Sequence, residues 1–92
     1  MAGRATDIVE LESFYIAGEG DDVLCHKAIE IGDRLQLEIA IARARMDFTH
    51  LERLQNELED LDSVLRKIAG RSDSHDVLAV YNADARKKGR IP

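Results

Sequence analysis

The sequence predicts an α+β domain in which a two- or three-stranded antiparallel β-meander is followed by one long and one short α-helix. Two observations carry this prediction. Apolar residues occupy alternate positions over much of residues 23–41, and they recur at every third or fourth position from residue 51 to residue 68. A period of two is typical of a strand with one buried face, whereas a period near 3.6 is typical of an amphipathic helix.

The second and third strands are predicted at about residues 23–31 and 35–43. In the third strand the alternating apolar residues are Leu35, Leu37, Ile39 and Ile41. On a helix these four side chains would divide between opposite faces, but on a strand they line one face. A three-residue loop, Gly32 to Arg34, keeps the odd-numbered residues of both strands on the same buried side.

The first strand is predicted at about residues 8–17, where the sequence leaves an alternative open. Ile8, Leu11 and Tyr15 also fit one face of a helix that Thr6 would cap. The sequence alone does not decide between the two.

The two helices are predicted at about residues 48–69 and 75–87. The long helix carries an apolar stripe formed by Leu51, Leu54, Leu58, Leu61, Leu65 and Ile68. Thr49 or Asp47 is its predicted N-cap, and Gly70 its stop. The stripe is expected to cover the sheet, although a coiled-coil seam between two copies is the alternative, so the chain is predicted to be a monomer or a homodimer.

Length and composition favour a single non-enzymatic domain over residues 1–92. The chain is 45% apolar and 34% charged, and it has no Trp, two Tyr and two Phe. A core of aliphatic side chains leaves little material for an enclosed pocket. We therefore expect neither an enzyme nor a cofactor.

The sequence also predicts a cytoplasmic protein with no membrane segment. Its single cysteine, Cys25, cannot form an intrachain disulfide, and no apolar run approaches the roughly 18 residues of a membrane-spanning helix. The first twelve residues lack the apolar centre of a signal peptide.

No motif predicts a metal or phosphate site. Cys25 and His26 are adjacent in sequence and would point to opposite faces of a strand, so Cys25 is predicted to be buried and His26 exposed. The loop from Gly18 to Asp22 carries three acids, which would repel a phosphate, and it lacks the distal glutamate of a calcium loop. We interpret it as a solvated turn.

The charge distribution predicts an acidic body with a short basic tail at residues 86–92. The formal net charge is −5, yet four of the last seven residues are basic: Arg86, Lys87, Lys88 and Arg90. An acidic body would repel nucleic acid everywhere except near this tail, which could contact RNA or DNA phosphates.

The chain resembles the small phage-encoded anti-CRISPR proteins in its size, its acidic charge and the predicted arrangement of Val23–Ile31, Leu35–Ile41 and the helix from Leu51 to Ile68. The resemblance includes no diagnostic motif. It implies a protein, active in the host-cell cytoplasm, that occupies the surface on which a multi-subunit RNA-guided surveillance complex receives DNA.

The sequence therefore predicts a non-enzymatic protein-binding inhibitor that acts by steric occlusion. A structural or adaptor subunit of a phage or secretion assembly and a small nucleic-acid-binding regulator are the alternatives. The partner is expected to be a protein or ribonucleoprotein complex. The predicted contact residues are Lys27, Gln36, Glu38, Arg86, Lys87, Lys88 and Arg90.

Overall fold

The computed structural model describes residues 5–70 and 75–89, and this part of the chain forms four α-helices and no β-strand. The helices are α1 (Thr6–Ile16), α2 (Asp21–Ala44), α3 (Phe48–Ala69) and α4 (His75–Lys87). The predicted α+β class and its β-meander are therefore wrong. All three predicted strands, at 8–17, 23–31 and 35–43, are helical.

Helix α2 follows an apolar pattern that the alternating residues conceal. Leu24, Ala28, Ile31 and Leu35 are fully buried, and they are separated by steps of four, three and four residues. This spacing places them on one helical face. Leu37, two positions after Leu35, is 63% exposed. Residues 34–45 are also rich in Leu, Ala, Gln, Glu and Arg, which favour helices.

The glycine-rich loop joins two helices instead of two strands. The Gly18 amide donates to the Tyr15 carbonyl at 3.1 Å and the Glu19 amide to the Phe14 carbonyl at 3.0 Å, which together form the Schellman motif at the end of α1. Gly18 has φ +77°, the left-handed conformation that this motif requires.

The chain reverses direction after Arg45, not at Gly32, which is buried inside α2. Helix α2 ends in a second Schellman motif, in which the Asp47 amide donates to the Ala42 carbonyl at 2.9 Å. Met46 occupies the left-handed position of this motif, with φ +55°.

Helix α3 spans the range over which the leucine spacing predicts a helix. The Asp47 side chain accepts from the His50 amide at 3.1 Å, so Asp47 is the N-cap in place of Thr49. The buried side of α3 is formed by Leu54, Leu61, Val64, Leu65 and Ile68. It packs on other helices of the same chain, where the sequence predicted a sheet.

Helices α2 and α3 form an antiparallel hairpin, and α1 and α4 both pack on it. In the described residues α1 and α4 do not contact each other. Buried residues from all four helices belong to one core, which includes Ile8 of α1 and Val77 of α4. None of the helices in the described ranges is both long enough and apolar enough to cross a membrane.

Candidate protein-binding site

The α2–α3 hairpin extends beyond the two helices that flank it. Helix α1 begins beside Arg34, which binds Asp7, and Lys88, just after α4, binds Asp33. Both contacts lie before residue 37 of α2. Residues 37–44 of α2 therefore run for about 12 Å beyond the flanking helices, at 1.5 Å per residue. We refer to residues 37–48 as the hairpin end.

The hairpin end exposes large apolar side chains. Eight such side chains are exposed in the described residues, and four of them belong to this segment: Leu37 at 63%, Ile41 at 44%, Met46 at 68% and Phe48 at 67%. Single exposed apolar residues are common on protein surfaces, but a group of them is typical of an interaction site. The hairpin end is therefore our candidate binding surface.

Met46 adds backbone strain to this exposure. Its φ of +55° lies in the left-handed region, which costs a residue with a Cβ roughly 1 kcal/mol. The equivalent position after α1 is occupied by Gly18. Met46 thus places a large, exposed apolar side chain at a backbone position where glycine would relieve the strain. Strained backbone positions of this kind cluster at functional sites.

The acids and the bases of the hairpin end differ in whether they have partners within the domain. Its two acids are both engaged, because Glu38 accepts from Arg34 and Asp47 caps α3. Arg43 and Arg45 have no ion pair within the described residues. The exposed apolar side chains are therefore accompanied by two free guanidinium groups.

An open groove lies next to the hairpin end, where α2, α3 and α4 meet. Its volume is about 530 Å³. Its apolar lining comes from all three helices and consists of Ile39, Ala40, Leu58, Leu61, Leu65, Tyr81 and Ala85. Arg43 lies at the wall formed by α2, and Asp62 at the wall formed by α3, where Asp62 is paired with Arg66 at 3.0 Å.

The structure places the predicted contact residue Lys27 within the fold. Lys27 Nζ lies 2.9 Å from Glu10 Oε2, and the side chain is 18% exposed. The hydrogen bond to Glu10 raises the pKa of Lys27 above its usual value of 10.5 and outweighs partial burial. Lys27 therefore attaches α1 to α2.

Gln36 and Glu38 also make contacts inside the domain. Gln36 Nε2 donates to the Lys88 carbonyl at 3.2 Å, and Gln36 lines the groove. Glu38 accepts from Arg34, which also binds Asp7 and Glu57. Gln36 thus lies at the adjacent groove, and Glu38 lies in the hairpin end with its carboxylate bound by Arg34.

The structure places the basic residues of the tail in different environments. Lys88 Nζ contacts Asp33 at 2.7 Å and Asp84 at 3.0 Å, and these hydrogen bonds raise its pKa. Its charge is therefore matched by two carboxylates of the protein. Arg86 and Lys87 are exposed on the last turn of α4, and Arg90 lies outside the described residues.

The cysteine and its neighbour lie on α2, away from the hairpin end. Cys25 is half-buried and packs against the core, while His26 is exposed and lies 3.9 Å from Glu30. In the described ranges, no group of three or more His, Cys, Asp or Glu residues is arranged to hold a metal ion.

The residues of the hairpin end were missed by the sequence analysis. Leu37 and Ile41 were interpreted as buried residues of a strand, although four residues apart on a helix they share one face. The signal that could have identified them is the competing buried series with helical spacing that begins at Leu24. Met46 and Phe48 carried no motif.

Comparisons with protein-family models, with curated proteins and with solved structures find no match to this chain.

Proposed function

We propose that this protein binds another protein and covers part of its surface, without catalysing a reaction. The observation that carries the proposal is the hairpin end, where four large apolar side chains are exposed within twelve residues and one of them, Met46, occupies a strained backbone position. Exposure of this kind contributes nothing to folding, but it provides the apolar centre of a protein interface.

A different protein suits the hairpin end better than a second copy of this chain. In a two-fold dimer the same segment of both copies would meet, and the free guanidinium groups of Arg43 and Arg45 would approach their own counterparts. A partner with apolar and acidic side chains would match both features. Burial of four of the six stripe residues within the chain, Leu54, Leu61, Leu65 and Ile68, disfavours a coiled-coil dimer through α3.

The most concrete form of the proposal is an inhibitor of a multi-subunit RNA-guided surveillance complex in the host-cell cytoplasm. Because the segments predicted as paired strands are helical in the structure, the resemblance to anti-CRISPR proteins now rests on the small size of the chain and its net charge of −5. Steric occlusion requires no catalytic group, only a surface that stays attached to the partner. The exposed bases Arg86 and Lys87 could add contacts to the RNA of such a complex.

Target-DNA binding by a purified RNA-guided surveillance complex tests this function. We expect the wild-type chain to reduce DNA binding in a concentration-dependent way, as measured by fluorescence anisotropy of labelled DNA. Phe48→Glu places a charge in the apolar surface and should weaken inhibition at least tenfold, corresponding to about 1.4 kcal/mol of binding free energy.

Ile16→Glu is the matched control. Ile16 is 77% exposed at the far end of α1, so the same substitution there should leave inhibition unchanged. Unaltered DNA binding at saturating wild-type protein would overturn the inhibitor proposal. Equal loss of inhibition in both variants would show that the hairpin end is not the contact surface.

A further inference from the structure

We propose that the groove beside the hairpin end binds a short, acidic amphipathic helix of the partner protein. This inference rests on the proposed protein-binding function and specifies the partner's chemistry. It follows from the way the chain's own α4 occupies the seam between α2 and α3, and from the charge at the groove wall.

Helix α4 shows what the α2–α3 seam accepts. Its apolar side chains Val77, Tyr81 and Ala85 are four residues apart, and they face the hairpin as a narrow stripe. Helix α4 ends at Lys87, and Lys88 is bound at Asp33. The seam continues past this point, and within residues 5–70 and 75–89 no helix covers it.

The uncovered seam has the length and lining for about two further helical turns. Residues 37–44 of α2 extend about 12 Å beyond the end of α4. Ile39 and Ala40 of α2 line the groove here, and the groove continues along the flank of α4, where Leu58 and Leu61 of α3 and Tyr81 of α4 line it. Apolar side chains three or four residues apart on a partner helix would fill it, as in other helix-in-groove complexes.

The charge at the groove selects an acidic helix. Asp62 is neutralised by Arg66, whereas Arg43 has no ion pair in the described residues. A carboxylate on the partner helix would meet a free guanidinium group beside an apolar floor, where the pair is partly shielded from water. A basic helix would bring a second cation to the same position.

A pair of synthetic peptides tests the inference on the full-length protein. The first is a helical peptide of about twelve residues with two leucines four positions apart and glutamates beside them, and the second has lysine in place of each glutamate. Titration is followed by chemical shifts of the ¹⁵N-labelled chain. We expect the acidic peptide to shift the amides of Ile39, Leu58 and Tyr81 and to bind about tenfold more tightly than the basic peptide.

Arg43→Glu should reverse this preference, so that the basic peptide binds more tightly. Arg53→Glu is the matched control, because Arg53 is an exposed arginine of α3 that lies outside both the hairpin end and the groove lining, and it should leave the acidic peptide preferred. The ¹⁵N spectrum of each free variant reports whether it is folded.

Several outcomes would overturn the inference. Absence of groove shifts with both peptides contradicts a helix-binding site, and equal affinities unchanged by Arg43→Glu contradict charge selection. If vesicles containing anionic phospholipid perturb the same amides while neither peptide does, the groove is a lipid-binding surface. If the peptides fail while Phe48→Glu still abolishes inhibition of the surveillance complex, the groove proposal falls and the proposed function stands.

Discussion

Arg34 donates two hydrogen bonds to the Asp7 carboxylate, from Nε to Oδ2 at 2.6 Å and from Nη2 to Oδ1 at 2.9 Å. The same guanidinium donates to Glu38 on α2 and to Glu57 on α3. A single side chain thus links α1, α2 and α3 at the point where the hairpin end begins. Partial burial lowers the pKa of Arg34, but the hydrogen bonds to Asp7, Glu57 and Glu38 outweigh it and raise the net pKa.

Two substitutions of Arg34 should destabilise the domain to different extents. Arg34→Lys keeps the charge but loses the two-pronged contact with Asp7, and we expect a loss of about 1 kcal/mol in the free energy of unfolding. Arg34→Met also leaves the carboxylates of Asp7 and Glu57 close together without a cation, and about 2 kcal/mol should be lost, a value reduced because Arg34 is about one-third exposed. Urea unfolding measures both, and equal stability of the three proteins would contradict a structural role.

Lys27 should make the stability of the domain depend on alkaline pH. Its hydrogen bond to Glu10 raises the folded-state pKa above 10.5, so the stabilisation is fully present below about pH 10.5 and is lost as the pH rises through the folded-state value. Lys27→Met should therefore cost less than about 1 kcal/mol at neutral pH, and the difference from wild type should shrink at higher pH.

Lys87→Met provides the control for this pH series. Lys87 is exposed and has no ion pair within the described residues, so its substitution should change stability little at any pH. Unfolding curves from neutral to strongly alkaline pH compare the three proteins. If the difference in free energy of unfolding between wild type and Lys27→Met stays the same at the highest pH, the charge interaction between Lys27 and Glu10 does not contribute to stability.

The two left-handed turn positions should respond in opposite directions to substitution. Gly18→Ala introduces a Cβ at φ +77° and should destabilise the domain by about 1 kcal/mol. Met46→Gly removes a Cβ at φ +55° and should stabilise it by up to about 1 kcal/mol. Thermal unfolding checks both, and a lower midpoint for Met46→Gly would mean that its side chain supports the fold.

Leu35 and Leu37 should differ sharply in their contributions to stability. Leu35 is fully buried, so Leu35→Ala should cost about 3 kcal/mol through lost burial and the cavity left behind. Leu37 is 63% exposed, and Leu37→Ala should change stability by no more than about 0.5 kcal/mol. On a strand the two would share a buried face, so similar losses from denaturant unfolding would contradict the helical structure.

The long helix α3 could be predicted because its apolar positions repeat only with helical spacing. Helix α2 was misinterpreted because it carries two apolar sets. Ile31 and Leu35 belong to the buried one, while Leu37 and Ile41 belong to an exposed one. Superimposed in sequence, the two sets imitate alternation with a period of two. A helix that exposes apolar residues for binding is difficult to recognise by periodicity alone, since the pattern assumes that apolar side chains are buried.

The candidate site was even less accessible from the sequence. Lys27 and Glu38 were predicted to point outward, but each forms an ion pair within the domain. Lys27 pairs with Glu10, which is distant in sequence, and Glu38 pairs with Arg34, one helical turn away. The Lys27–Glu10 pair depends on how α1 packs on α2, and the Glu38–Arg34 pair depends on α2 being a helix. The left-handed conformation of Met46 carries no sequence signature, because glycine is the residue that normally announces it.

Inhibition by the Met46→Gly variant tests most directly whether the hairpin end exists for binding. Met46 combines 68% exposure with a strained φ, so we expect this variant to be more stable than wild type but at least tenfold weaker in blocking target-DNA binding by the surveillance complex. Gain of stability with full retention of inhibition would contradict the account, because the methionine would then have no function that explains its strain.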